Sequence, residues 1–454
     1  MRRRQEARIK NSKQRTNDKQ HSSFAIRRFS LFTLHSSLFT VVIAGVILAL
    51  LTLAFFWQII FTKTAWMPAG GGDLLPFLYP NYQFAAQSLQ NGVIPLWNPH
   101  LYSGAPFAAD AQSGLFYPPN LLIFLLSPNL SFETLEYLAV FHFWLAGFGM
   151  FLFLQHSPPA KTLRLHPIAA LTGAIAFEFS DLFIVHFGNL NMIAVAAWLP
   201  LVMLAFQNAV AQRRTGYALA AGALLAIATL AGHIQITLFI LLAIGLYALW
   251  EVFWPGRDGS RLAPLGYLLV ALLVTIGLSA LWLIPTLEMS RYTLRAALSY
   301  PESAAYSLHP AQLIGLLIPN YFGRDPALHW GPWERVETGY IGILTLLLAL
   351  TGAFLQKDRQ TRFFIFLAGV SFLLALGDSS ILHGWLSLSP GFGQFRAPAR
   401  YILLLDFSLA TLATIGLHRL MGGLNKTSRQ TFSNLLKTVT WILGALTVVS
   451  LPLA

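Results

Sequence analysis

The hydrophobic positions of this chain fall in unbroken runs of about twenty residues, separated by short polar breaks. The runs lie at about 38–61, 133–154, 167–187, 190–207, 216–231, 234–254, 262–285, 338–355, 362–377, 400–420 and 436–454. A helix rises about 1.5 Å per residue, so runs of this length match the roughly 30 Å of bilayer hydrocarbon. Membrane strands would instead show alternating segments of about ten residues. The pattern predicts an all-α polytopic membrane protein with about 11 transmembrane helices. Leu121 to Leu126 is apolar but too short to cross, and is expected to lie in the interface or form part of a re-entrant hairpin.

Composition supports the same class. Of 454 residues, 56% are hydrophobic and 11% charged, against about 25% charged in an ordinary soluble domain. With no cysteine, disulfide and thiolate chemistry are excluded. The net charge of +12 is concentrated: residues 1–30 carry ten Lys/Arg against Glu6 and Asp18. A basic segment directly before a first span orients the chain and favours anionic headgroups. Residues 1–36 therefore read as a basic cytoplasmic tail and 37–454 as the membrane domain, its first run an uncleaved signal anchor. Nucleic acid is not an expected partner, because no groove-reading or aromatic motif accompanies the charge.

With the N-terminus inside, alternation of the spans places 23 of the 30 basic residues in the cytoplasm, as the positive-inside rule requires. The exceptions are Lys63, Arg291, Arg295, Arg324, Arg335, Arg396 and Arg400. Two long loops, about 62–132 and 286–337, then face outward. Loops longer than a helix reversal needs are where function concentrates.

The first of these loops is dense in Gly, Pro, Trp and Tyr. It contains Gly72-Asp73-Leu74, then Pro95-Leu96-Trp97-Asn98-Pro99-His100, Leu101-Tyr102-Ser103-Gly104, and Ala109-Asp110-Ala111-Gln112-Ser113-Gly114-Leu115-Phe116-Tyr117-Pro118-Pro119-Asn120. Further along come Ala197-Trp198-Leu199-Pro200-Leu201, Ala231-Gly232-His233-Ile234-Gln235, Pro319-Asn320-Tyr321-Phe322-Gly323, Gly339-Tyr340-Ile341-Gly342 and Phe395-Arg396-Ala397-Pro398-Ala399-Arg400. This ordered set, spread over most of residues 70–405, resembles the YfhO family of bacterial membrane proteins, whose architecture is similar to that of GT-C glycosyltransferases. Members of that family usually continue beyond the point where this chain ends.

The resemblance implies a GT-C-like first outer loop with short interfacial helices, in a multi-pass protein of the bacterial cytoplasmic membrane. It also implies a lipid-linked sugar donor: transfer from a polyprenyl phosphate to an extracytoplasmic acceptor. In such enzymes the first outer loop carries an acidic residue near the membrane surface, a pattern that Asp73 and Asp110 match. The chemistry needs a carboxylate to take the acceptor's proton and cations to hold the leaving phosphate. Arginines or a divalent cation, Mg or Mn, supply the latter. Asp73 and Asp110 are the candidate bases, expected to meet in one outer cavity, with a helix cap or turn anchor as the alternative for each. Arg396 and Arg400 are the candidate phosphate ligands, with pairing to outer-loop carboxylates as the alternative.

His100, Gln112, His233 and Gln235 fall near the expected outer surface and are candidate substrate contacts. Asp406, about six residues inside a span, must face the bundle, and pairing with an arginine is its simplest account. Glu251 is expected to pair with Arg257 and Arg261. No Walker A, HExxH or GxSxG pattern occurs. A transporter or flippase for a lipid or amphiphile, and a non-catalytic envelope scaffold, are the competing readings. The gathering of singular polar residues at the outer surface, rather than at mid-bilayer, separates the enzyme from the transporter.

Overall fold

The computed structural model describes residues 38–62, 72–127, 129–158, 163, 165–255, 260–293, 298–323, 329–389 and 392–450, except the side chains of 442, 443 and 445–450. The basic tail at 1–36, Lys63, Lys161, Arg164, Arg257, Arg295 and Arg324 lie outside those residues. Helices occupy every predicted run: α1 Leu38–Phe55, α4 Phe132–His156, α5 Pro167–Glu178 with α6 Asp181–Val185, α7 Leu190–Ala196 with α8 Leu199–Gln212, α9 Thr215–Leu230, α10 Ile234–Phe253, α11 Ala263–Ser290, α12 Ile343–Leu355, α13 Arg359–Ala375, α14 Ile402–Met421 and α15 Lys426–Ser450. The segment between α1 and α4 adds α2 Tyr79–Gln90, α3 Pro118–Leu126 and a two-stranded hairpin, β1 Trp97–Asn98 with β2 Ala105–Pro106. Among the described residues seven helical segments are long and apolar enough to cross a membrane, and α9 and α12 are shorter apolar helices.

The chain divides into two compact units inside α1, Met1–Leu50 and Leu51–Ala454. The described part of the first is helical and exposes Leu38, Phe39, Val42, Ile43, Val46 and Leu50. In the second, α14 is central. Its span is 83% buried, against 22% for α11, which turns most of its apolar side chains outward. Lipid tails give apolar helices no reason to leave lipid for one another, so close packing through small residues must hold such a bundle. A Cβ on Gly352 of α12 would come within 2.9 Å of the Gly416 amide of α14, so the two backbones touch at a pair of glycines. On the α5 side of α14, a Cβ on Gly173 would meet the Ala410 carbonyl at 2.8 Å.

The segment between α1 and α4 is tied to the bundle by its motif residues. Asn120 donates to the Tyr82 hydroxyl at 2.9 Å and to the Gly114 carbonyl at 3.0 Å. Gly114 has φ +54°, and a Cβ there would lie 2.6 Å from the Asn120 amide nitrogen, so only glycine closes this knot. Tyr117 accepts from Trp198 Nε1 at 3.0 Å and hydrogen-bonds His142 Nε2 at 2.8 Å. His142 Nδ1 lies 2.6 Å from the Leu138 carbonyl and must donate to it, which leaves Nε2 to accept from Tyr117. Burial pushes both tyrosine hydroxyls up from their ordinary value, so they act here as neutral hydrogen-bonding groups.

At the opposite end of the bundle Glu251 pairs with Arg359 at 2.8 Å. The structural role expected of Glu251 therefore has Arg359 as its partner. Asp406 is buried and faces Ser180 and Asp181 rather than an arginine. Asp181 is itself held by the Thr338 amide at 2.7 Å and the Gly339 amide at 3.2 Å. This attaches the segment before α12 to the break between α5 and α6.

Candidate functional site

The end of α6, the turn before α7, the Asp73 turn, parts of 306–323 and 329–338, and the turn before α14 line a cavity of about 670 Å³. Its charged lining is Asp73, Glu337, Arg335, Arg396 and Arg400, with His186 and His329 beside them. Three guanidinium groups face two carboxylates, so the cavity is net cationic before either histidine is counted. Its apolar wall includes Ile184, Val185, Ile318 and Phe322.

Asp73 begins a short π-helical turn, Leu74–Leu78, whose Leu78 amide donates to the Asp73 carbonyl at 2.8 Å. Such turns recur at functional sites. Its carboxylate makes no capping bond. Instead it accepts from Asn189 Nδ2 at 3.1 Å. The preceding Gly72 has φ +93°, and a Cβ there would sit 2.8 Å from the Gly188 carbonyl, so the absence of a side chain lets the Asp73 backbone lie against that turn.

The turn that carries the arginines is fastened from two sides. Gln235, buried at the start of α10, donates to the Arg396 carbonyl at 2.7 Å and accepts from Arg400 Nη1 at 3.1 Å. Opposite, the Ala397 amide donates to the Ala305 carbonyl at 2.9 Å and the Ala399 amide to Tyr306 at 3.2 Å. Ala397 and Tyr306 both hold left-handed backbone, φ +64° and +62°. A non-glycine residue stays there only when its surroundings over-determine it. The Arg396 guanidinium then lies 5.8 Å from the centre of the Tyr306 ring.

Glu337 and His186 complete the wall. Glu337 Oε1 pairs with His186 Nε2 and stands 4.0 Å from Arg400 Nε. Burial alone would raise the Glu337 carboxyl, but the neighbouring His186 and Arg400 outweigh it and hold the group down at about 2. Glu337 is therefore an anion with His186 and Arg400 already beside it. Among the described residues Asp73 has the Asn189 amide as its partner and no ion pair.

Asp110 does not line this cavity, so the structure does not bring the two loop carboxylates together. Its Oδ1 accepts from the Gln112 amide at 2.8 Å, an Asx turn of the kind weighed as its alternative, and desolvation raises its carboxyl. The Gln112 carbonyl accepts from Asn191 at 2.7 Å, within the packing of the loop on α7. His233 caps α10 by accepting from the Ile236 amide at 3.4 Å. His100 is exposed on the hairpin, edge-on to Phe84. Gln235 reaches the site through Arg396 and Arg400 and is not itself a lining residue.

Glu337, Asn189 and Tyr306 are not singled out by the sequence. The available signal was position: Glu337 directly precedes the Thr338-Gly339-Tyr340 segment, and Asn189 closes the turn between two apolar runs. Among the described residues no three His, Cys, Asp or Glu side chains form a metal-holding group.

A family model described as bacterial membrane protein YfhO matches residues 115–451. The chain belongs to the YfhO family. It is a multi-pass membrane protein, as that family and its apolar spans require. No curated protein matches it by sequence. Among solved structures it is similar to the Archaeoglobus fulgidus oligosaccharyltransferase, both in the apo form and tethered through a disulfide to an acceptor peptide containing the NVT sequon. Each match has 15% identity, a TM-score of 0.41 and covers 88% of this chain. The chain spans about half the length of those structures, 54% and 53%.

Proposed function

We propose that this YfhO-family protein is a glycosyltransferase of the bacterial cytoplasmic membrane. Its basic tail lies in the cytoplasm, and it moves a sugar from a polyprenyl-phosphate donor to an extracytoplasmic acceptor. The observation that carries this reading is that Asp73, a carboxylate without an ion pair among the described residues, lines the same cavity as Arg335, Arg396 and Arg400. In the proposed step Asp73 takes the proton of the attacking hydroxyl, whose oxygen forms a bond to the anomeric carbon. The bond from that carbon to the phosphate oxygen breaks, and the phosphate leaves with the electron pair. A single displacement of this kind inverts the anomeric centre. Arg396 and Arg400, with Arg335 beside them, hold the charge that develops on the phosphate. The apolar wall at Ile184, Val185, Ile318 and Phe322 provides a surface along which the prenyl chain leaves the cavity. Of the two candidate bases, this reading keeps Asp73 and gives Asp110 a positioning role in the loop.

The test is release of polyprenyl phosphate from a panel of polyprenyl-phosphate hexoses, using the full chain in proteoliposomes with cell-envelope acceptors. Asp73→Asn keeps the shape and removes the base, and is expected to cut release by about a hundredfold or more. Equal release by wild type and Asp73→Asn across the panel would sink the reading.

A further inference from the structure

Between the end of α13 at Ala375 and the Arg396 turn, the chain forms a short helix, Ile381–Ser387, that does not line the cavity. Ile381, Trp385 and Leu388 follow one another at spacings of four and three, so they share one face. That face is bare: the three side chains are 70%, 63% and 83% exposed. His383, on the opposite side, is buried beside the Tyr300 ring, with ring centres 5.9 Å apart. The helix is seated on the protein by one side and presents three large apolar side chains on the other.

Its seat is the same piece of structure that holds the arginines. Gly377, in the turn that enters the helix, has φ +51°, and a Cβ there would lie 3.0 Å from Pro398 Cγ. The Asp378 amide donates to Ser307 Oγ at 3.1 Å, and Ser303 Oγ donates to the Phe395 carbonyl at 2.9 Å. One short segment therefore grips both the root of the helix and the Arg396 turn. α13 runs from the Arg359 end of the bundle to the cavity end, and only residues 376–380 separate it from the helix. Fully extended, they would reach about 20 Å, and here they include a 3₁₀ turn, Gly377–Ser379. The bare face is thus tethered close to the membrane. Three side chains fall far short of the roughly 800 Å² per partner that a stable protein interface buries. Lipid sets no such threshold, and tryptophan beside aliphatic residues on one helix face suits the membrane interface.

We propose that the helix Ile381–Ser387 lies in the bilayer surface, with Ile381, Trp385 and Leu388 among the acyl chains, and holds the Arg396 turn at headgroup depth. The bilayer is the occupant of this face. On the glycosyltransferase reading, Arg396 and Arg400 then stand at the level where a membrane-borne prenyl phosphate carries its charge. That consequence rests on the reading, whereas the seating of the helix does not.

The chain has no cysteine, so single cysteines can carry a nitroxide label on the full chain in lipid nanodiscs. Collisions of each label with oxygen, which concentrates in lipid, and with a water-soluble nickel chelate report its depth. Leu273, exposed on α11, supplies the lipid reference, and Asn91, exposed at the end of α2, the aqueous one. Labels replacing Ile381, Trp385 and Leu388 should give oxygen-to-nickel ratios severalfold above that at Asn91, approaching that at Leu273. A label at Gln394, exposed two residues before Arg396, should fall between the references. Ratios like that of Asn91 at the three helix positions would put the face in water and overturn the proposal. Few collisions with either reagent would show a protein covering the face, and would overturn it equally. A Gln394 label matching Asn91 would overturn the depth assigned to the arginine turn. None of these measurements reads sugar transfer, so the expected ratios in a protein that releases no polyprenyl phosphate would refute the enzyme reading alone.

Discussion

At the scale of single residues, the cavity is built from side chains whose charge is either paired or left available. Arg400 shows the difference a planar group makes: one guanidinium reaches Gln235 at 3.1 Å and stands 4.0 Å from Glu337. A lysine carries the charge but cannot span both directions. On the proposed function, Arg400→Lys and Arg396→Lys should each weaken binding of polyprenyl phosphate by about tenfold, the equivalent of ~1.4 kcal/mol. Titration of a fluorescent polyprenyl phosphate into nanodiscs would measure this, and unchanged affinity in both variants would remove the pair from the phosphate site. Glu337 gives a pH signature. Its carboxyl lies below the ordinary 4.5 in the folded protein, so its stabilisation is complete above that value and fades as pH falls towards about 2. Melting curves of wild type and Glu337→Gln in detergent should differ most above pH 4.5 and converge below it. A gap that widened on acidification would contradict the assignment.

At the scale of helices, the contact between α12 and α14 decides whether the site exists at all, because α14 begins just after Arg400. A Cβ on Gly416 would lie 2.8 Å from the Gly352 amide nitrogen. The obstacle is backbone and cannot turn aside as a flexible side chain could. Gly416→Leu should therefore destabilise by ~3 kcal/mol, towards the upper end of overpacking costs. An exposed glycine with open space around it, such as Gly277 of α11, should tolerate leucine. Thermal unfolding in detergent separates the two, and equal melting temperatures would show that the close crossing is not maintained in lipid. The same argument explains the loop motifs. Asn120, Tyr82 and Gly114 form one knot, so the Gln-Ser-Gly and Phe-Tyr-Pro-Pro-Asn segments act chiefly as fasteners.

For the whole molecule, the cavity and the pair of Glu251 with Arg359 lie at opposite ends of the bundle. On the proposed topology, the first faces outward and the second faces the cytoplasm. Single cysteines replacing Asn91 and Arg213 should then react with an impermeant thiol reagent from opposite sides, the chain having no cysteine of its own. Labelling of both from one side would break this topology. The segments that carried the family resemblance meet in space. Gly232 lies against the Ala111 carbonyl, where a Cβ would approach to 2.6 Å. Gln235 holds the Arg396 turn, Trp198 holds Tyr117, and Gly339 holds Asp181.

Helical class and the position of each apolar run were legible along the chain, and Asp73, Arg396 and Arg400 stood out as candidates that the fold places in the lining of one cavity. Hydrophobic length and isolated charge are local properties, readable wherever they occur. Asp110 carried the same local signal as Asp73, and only the fold separated them, turning one into the cavity and the other into an Asx turn. His186 and Glu337 carried no such signal. They are 151 residues apart, and neither is unusual among its own neighbours. Their pairing, and the contacts of Asn189 with both His186 and Asp73, arise when the end of α6, the turn before α7 and the segment before α12 come together. That convergence depends on backbone contacts at glycines and on hydrogen bonds across the fold, which spacing along the chain does not encode.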